Sequence, residues 1–294
     1  RIASRTNQRI IMLNKGSNDK GFMVCKDCGA AMPGDDISVL NDVNRPYKSK
    51  YARSRCRHSN SFNVNLGYDF ITDMLVLEFT IDDKIIDVHR NDNPWLGRAA
   101  QSLAEALRLV ASKKLDIEFT ELVTGYRLRT GAEASYIDIY LYDSLSSGAG
   151  YAVSVADVIA EILSDMKELL SSCNCGAACS KCLKHYRNQY VHGILDRFAA
   201  LQLLEWGIKG IKALPIKTET QINMIMPLTN ILKQSGCKIT VDDEIVVNGP
   251  RKTKKVAIYP AMWVEPCATN TIFVSDAYIK YAKPYAVQKI LDNI

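Results

Sequence analysis

Apolar and polar positions alternate best along residues 67–81, Gly-Tyr-Asp-Phe-Ile-Thr-Asp-Met-Leu-Val-Leu-Glu-Phe-Thr-Ile. Period-two alternation in a β-branched and aromatic run predicts a long half-buried strand. The period changes at 95–112, where Leu96, Ala99, Ala100, Leu103, Ala104, Leu107 and Val110 form one helical stripe. Strands are predicted at 116–123 and 136–142, separated by a polar, Gly-bearing segment at 125–133. Ser-Ser-Gly-Ala-Gly at 146–150 breaks the chain. A helix over 151–171 follows, burying Val155, Val158, Ile159, Ile162, Met166 and Leu169, and another spans 192–210. Residues 7–24 read as an extended start with Ile10, Ile11 and Leu13.

The pattern shifts near Leu214-Pro215. A helix over 220–235 ends at Gly236, a C-terminal cap signal. Short strands at 238–248, 254–263 and 271–275 and a final helix complete a small α/β unit.

Composition supports a packed core, with 47% hydrophobic and 23% charged residues among 294. The apolar runs fall short of the roughly 18 residues a bilayer span needs. No basic-then-apolar leader opens the chain, so a cytoplasmic location is expected. The first residue is Arg1 and not Met, which reads as a fragment or a processed chain.

The net charge of +5 is unevenly spread. Residues 1–66 carry +7, residues 67–214 carry −5 and residues 215–294 carry +3. The densest basic stretch holds Arg45, Lys48, Lys50, Arg53, Arg55 and Arg57 interleaved with Tyr47 and Tyr51. Cations attract phosphate and aromatic faces stack on bases, so these six are the candidate DNA contacts; a solvated basic loop is the plainer reading.

Seven of nine cysteines fall in two groups, and an odd count without a leader argues against a disulfide framework. Cys173-x-Cys175-x3-Cys179-x2-Cys182 places four thiols within ten residues. Four thiolates fill a tetrahedral sphere, which points to a structural Zn2+ with no open position for water. An iron–sulfur cluster uses the same ligand set. Cys25-x2-Cys28, with Cys56 and His58 after 27 intervening residues, is a candidate second zinc site. It would fold the basic segment and hold its cations in place. Cys237 and Cys267 read as ordinary small apolar residues, His185 and His192 as orienting or packing groups, and His89 as a surface residue.

Other constellations are weaker. Gly148-Ala149-Gly150 precedes a helix, and helix N-termini bind anions, but a tight turn with Asp143 as its cap accounts for the same residues. Asp242, Asp243 and Glu244 with Lys252, Lys254 and Lys255 do not match a metal-dependent nuclease spacing, and a hairpin turn explains the acidic trio more simply. No Walker A motif is present, so this chain does not hydrolyse ATP alone.

Four stretches taken in order resemble the MrfA-type zinc-binding domain found C-terminal to superfamily 2 DNA helicases. They are Gly21-Phe-Met-Val-Cys-Lys-Asp-Cys-Gly29, Asp69-Phe-Ile-Thr-Asp-Met-Leu75, Tyr142-Asp-Ser-Leu-Ser-Ser-Gly-Ala-Gly-Tyr151, and the run from Cys173 through Tyr186, Asn188, His192, Leu195, Asp196 and Arg197. The resemblance covers about residues 10–212 and extends to proteins of bacterial DNA repair and to phage-defence systems such as DISARM and Druantia. It implies a four-cysteine zinc site, matched at Cys173, Cys175, Cys179 and Cys182, and a helicase motor either upstream of Arg1 or on a separate subunit. The Cys25, Cys28, Cys56 and His58 set is less general in that family.

The expected fold is α+β: a mixed sheet flanked by helices with a four-cysteine zinc knuckle, an N-terminal zinc-ribbon-like segment and a small C-terminal α/β unit. The expected boundaries are 1–66, 67–214 and 215–294. The expected role is a zinc-binding module that braces a helicase motor and guides single-stranded DNA in phage defence or repair, with no membrane association. A protein-interaction scaffold docking on a separate helicase or nuclease is the alternative.

Overall fold

The computed structural model describes residues 1–42, 56–88, 93–131 and 134–294. His89 and the basic residues Arg45, Lys48, Lys50, Arg53 and Arg55 lie outside them; Arg57 lies within and is exposed. Eleven strands and seven α-helices are described, giving the α+β class. The chain divides into two compact units, residues 7–72 and residues 1–6 with 73–294.

In the smaller unit, β2 (Phe22–Cys25) pairs antiparallel with both β3 (Ala31–Pro33) and β4 (Ser61–Val64). Only Met23, Cys25, Ala30, Leu40 and Cys56 form its buried apolar cluster among the described residues. Five side chains bury too little apolar surface to offset chain entropy, and small units of this kind lean on a metal. The strands β1 (Ile2–Asn14) and β5 (Leu66–Ile81) each have residues in both units.

The larger unit is built on the antiparallel pairings of β7 (Ser135–Asp143) with β5 and with β6 (Leu122–Thr130). Leu75, Leu77, Phe79 and Ile81 alternate onto the core face of β5, and Ile137, Ile139 and Leu141 do so on β7. Helix α1 (Pro94–Lys114) packs against this sheet, and it touches α3 (Ile159–Ser172) and α4 (Arg197–Lys209) as well. Asn93 caps α1 by accepting from the Trp95 amide, and Pro94 opens it. Being covered on several sides, α1 also buries Ser102, Glu105, Arg108 and Ser112.

Three boundaries differ from the sequence reading. The strand expected at 116–123 runs from Leu122 to Thr130 instead, after a 3-10 turn at Phe119–Glu121. Its polar residues serve the sheet: Arg127 and Arg129 both reach the buried carboxylate of Asp138, and Gly125 leaves room for the Tyr140 ring, which a Cβ would meet at 2.6 Å. The helix expected over 151–171 breaks at Val158 into α2 (Tyr151–Asp157) and α3. The break re-phases the stripe, so Leu170 is buried and Val158, Ile159 and Leu169 are only half-buried. The helix expected from 192 starts at Arg197, because residues 186–191 form a 3-10 turn and Asp196 is the N-cap.

Residues 218–294 hold α5 (Thr218–Gln234), the mixed sheet β11-β10-β9-β8, α6 (Asp276–Tyr281) and α7 (Lys283–Leu291). Here β8 (Lys238–Val241) and β9 (Ile245–Asn248) form a hairpin, with the acidic trio at its turn. Strand β10 (Thr253–Tyr259) is antiparallel to β9 and parallel to β11 (Thr271–Ser275). This part has its own apolar cluster, including Ile225, Leu228, Val247, Ile258, Val274 and Ile290, while Ala261, Met262 and Ala277 join the core of the zinc-bearing part. Asp196 links the two: its Oδ2 accepts from Lys280 and from the Tyr281 hydroxyl. No described helix is long and apolar enough to cross a membrane.

Candidate metal centres

Helix α3 ends at Ser172, and Cys173 leaves it in an extended conformation. The chain then doubles back through a turn in which Cys182 N–H and Lys184 N–H both donate to the Cys179 carbonyl. This brings the four sulfurs together. Cys173 and Cys179 lie 3.6 Å apart, Cys175 and Cys182 3.6 Å, and Cys179 and Cys182 3.9 Å, all far beyond a disulfide bond. Four sulfurs at about 2.3 Å from a tetrahedral zinc stand about 3.8 Å from one another, so the donor set fits the ion. The Cys179 amide also donates to the Cys182 sulfur at 3.2 Å, a bond that favours thiolate.

Arg197 ties the loop to the helices. Its side chain donates to the carbonyls of Cys175 and Leu170, and its backbone N–H donates to the Ala177 carbonyl. Beyond the loop, buried Asn188 accepts from the His185 amide and donates to the Leu183 carbonyl and the Glu105 carboxylate. His185 caps the 3-10 turn by accepting from the Arg187 amide and stacks on Phe119, and His192 meets Asn188 Oδ1 at 2.9 Å. Both histidines therefore orient and pack, as expected, and neither belongs to the sulfur cluster.

The second group closes in the smaller unit. Cys25 and Cys56 sulfurs are 3.7 Å apart, and Cys28 Sγ is 3.4 Å from His58 Nδ1, near the roughly 3.6 Å a zinc-bound sulfur and nitrogen require. Gly29, with φ +76°, donates its N–H to the Cys25 carbonyl and closes a knuckle turn. The His58 amide reaches the Cys56 sulfur at 3.4 Å, and His58 is buried. In each group the ligand atoms lie within 4.8 Å of one another.

The thiols are unequally poised. Burial raises the Cys25 pKa, but His58 and the amides of Cys28 and Asp27 outweigh it and lower the value to about 6. Burial and the neighbouring sulfurs Cys25 and Cys56 push Cys28 up to about 11 against the Ala30 amide. The Cys175 amide leads the groups that lower Cys173 to about 7, whereas burial pushes Cys182 up to about 12. Four thiolates this close repel one another, and a divalent cation is what removes their protons together. A closed sphere of this kind builds structure and leaves no position for a reacting water.

The remaining candidate resolves differently. Asp143, fully buried, accepts from the amides of Ala149, Tyr151 and Ala152. The chain's own carboxylate thus fills the anion position at the start of α2. Sequence reading missed Arg197 as the clamp on the sulfur loop; its place directly after the N-cap Asp196 was the available signal.

Comparison with known proteins agrees with this geometry. Residues 103–183 match the family described as the MrfA Zn-binding domain, a span that contains all four cysteines of the first group. The Druantia protein DruE of Escherichia coli (strain UMEA 4076-1) is 32% identical over 288 residues, covering 92% of this chain. The chain spans 16% of that relative's length. Among solved structures, the DUF1998 helicase MrfA bound to DNA gives a TM-score of 0.40 at 16% identity, over 69% of this chain and 25% of that one. The same helicase bound to DNA and AMPPNP gives 0.34 at 13%, over 69% and 22%. The chain carries an MrfA-type zinc-binding domain, and Zn2+ is its cofactor.

Proposed function

We propose that this chain is the zinc-binding, DNA-contacting module of a prokaryotic superfamily 2 helicase in phage defence or DNA repair. In this reading it braces the motor, present in the same polypeptide or as a partner, and guides single-stranded DNA. Cys173, Cys175, Cys179 and Cys182 hold one zinc, and Cys25, Cys28, Cys56 and His58 hold a second. Similarity to a Druantia protein supports the defence setting. One observation carries the DNA contact. Cys28 and His58 meet at 3.4 Å, so the base of the segment between Cys28 and Cys56 is closed, and that segment contains Arg45, Lys48, Lys50, Arg53 and Arg55. Zinc at that base would tether a sequence carrying five cations, with the exposed Arg57 two residues further along the chain, and cations so concentrated attract a phosphate backbone.

Fluorescence anisotropy of the zinc-loaded chain on labelled oligonucleotides across a salt series tests this. Affinity falls steeply with salt, and changing the six basic residues to Ala flattens the slope by roughly 0.7 per lost phosphate contact on a single strand. Salt-independent binding, or no binding, refutes it. A scaffold role is the second reading, favoured by Ile11, Leu13, Leu66, Tyr68 and Ile71, all large, apolar and exposed in the smaller unit. It predicts capture of a protein partner with no affinity for DNA.

A further inference from the structure

Immediately after the four-cysteine loop, the chain displays two aromatic rings to solvent. Tyr186 is 76% exposed and Tyr190 78%. They flank Asn188, which is wholly buried and bound to His185, Leu183 and Glu105. The turn bearing the rings is thus pinned at its centre to α1 and joined through Leu183 to the sulfur loop. The Arg187 guanidinium lies 5.9 Å from the Tyr186 ring centre. Rings exposed on a rigid support lose little freedom when a flat partner lands on them.

The surroundings select the partner. Residues 173–195 contain no Asp or Glu, while Lys181, Lys184 and Arg187 supply three cations. Among the described residues none of these three is in an ion pair. A zinc tetrathiolate carries two negative charges and the Glu105 carboxylate bonded to Asn188 adds a third, so these three cations are offset and little net charge remains. Weak charge with exposed π-faces suits a ligand held by stacking more than by ion pairing. Unpaired nucleobases have that chemistry, and stacking accepts any base.

We propose that Tyr186 and Tyr190 form a stacking platform for unpaired bases of single-stranded nucleic acid. The inference rests on the DNA-contacting reading above and adds a second surface, separate in sequence from the basic segment. The two surfaces differ physically. The basic segment acts through phosphates and weakens steeply with salt, whereas stacking on the tyrosines is nearly insensitive to salt.

The test uses the zinc-loaded chain, its Tyr186→Leu/Tyr190→Leu variant, its Tyr186→Phe/Tyr190→Phe variant and the six-fold basic variant. Zinc content and circular dichroism verify that each is folded. Binding is read by anisotropy across salt, and base contact by the fluorescence of 2-aminopurine placed in a single-stranded oligonucleotide. The platform predicts a loss of about tenfold per ring in the Leu variant at every salt concentration, with an unchanged salt slope. It also predicts near-parental binding by the Phe variant and quenching of 2-aminopurine by the parent but not by the Leu variant. If the parent binds and the Leu variant binds equally well, the platform is overturned while the basic-segment reading stands. If the parent binds no oligonucleotide, both fall. A Leu variant that keeps DNA affinity but loses a helicase partner would make this a protein-docking surface and overturn the proposal.

Discussion

The Arg197 guanidinium donates to the Leu170 carbonyl at 2.8 Å, joining the first turn of one helix to the last turn of another across the sulfur loop. Its Nε reaches the Cys175 carbonyl at 3.1 Å, so one buried cation holds both the helix end and the loop. Arg197→Leu leaves these carbonyls without their charged donor. A loss of about 3 kcal/mol of stability is expected from two charge-assisted bonds, together with a tenfold or greater drop in zinc affinity. Denaturant melts and competition with a chromophoric chelator measure the two. Retained zinc affinity in the variant would show that the loop is shaped by its sulfurs alone.

Asp143 caps α2 with both carboxylate oxygens. Asp143→Ala strands three amides at the start of that helix and is expected to cost about 2 to 3 kcal/mol. Asp143→Asn keeps one acceptor oxygen and falls between the two. The order Asp, Asn, Ala in denaturant midpoint is the expected result; equal midpoints would mean that water replaces the cap.

Two carboxylates, buried Asp138 and half-buried Asp276, give opposite pH dependence. Burial raises the Asp138 pKa, but Arg129 and Arg127 outweigh it and hold the carboxyl below its ordinary value. Its contribution is complete above the unfolded value near pH 3.9 and is lost as pH falls through the lower folded value. Burial raises the Asp276 pKa despite the amides of Ala261 and Ala277. The unfolded chain then loses that proton first, so stability falls as pH rises from about 3.9 through the raised folded value. Asp138→Asn should lower stability at neutral pH and remove an acid-side loss. Asp276→Asn, whose amide oxygen still accepts from both backbone N–H groups, should hold or raise it. Stability differences from the parent cancel the shared zinc term; between pH 4 and 7 they read the Asp276 sign, and below pH 4 the Asp138 sign.

What could be read in advance followed the strength of each local signal. The strand at Leu66–Ile81 and the helix at Pro94–Lys114 match their predictions closely, because period-two and helical stripes there continue without interruption. The boundaries that moved depend on partners distant in the chain. The strand Leu122–Thr130 looks polar until Asp138 and Glu78 are placed beside Arg127 and Arg129. The 3-10 turn before α4 depends on Glu105, some eighty residues earlier in sequence. Cysteine spacing announced both sulfur clusters, since their ligands are local or paired by short motifs. Tyr186, Asn188 and Arg197 stood in the run that carried the resemblance but with no role attached, and only packing gives them and the exposed Tyr190 their meaning.

Zinc counting tests the central claim most directly. Elemental analysis of the purified chain should return two zinc ions, falling to one in Cys182→Ala and, independently, to one in Cys28→Ala, with soluble yield falling alongside in the first. Iron in place of zinc, or a stably folded chain whose cysteines all titrate as free thiols with no metal bound, would contradict the account.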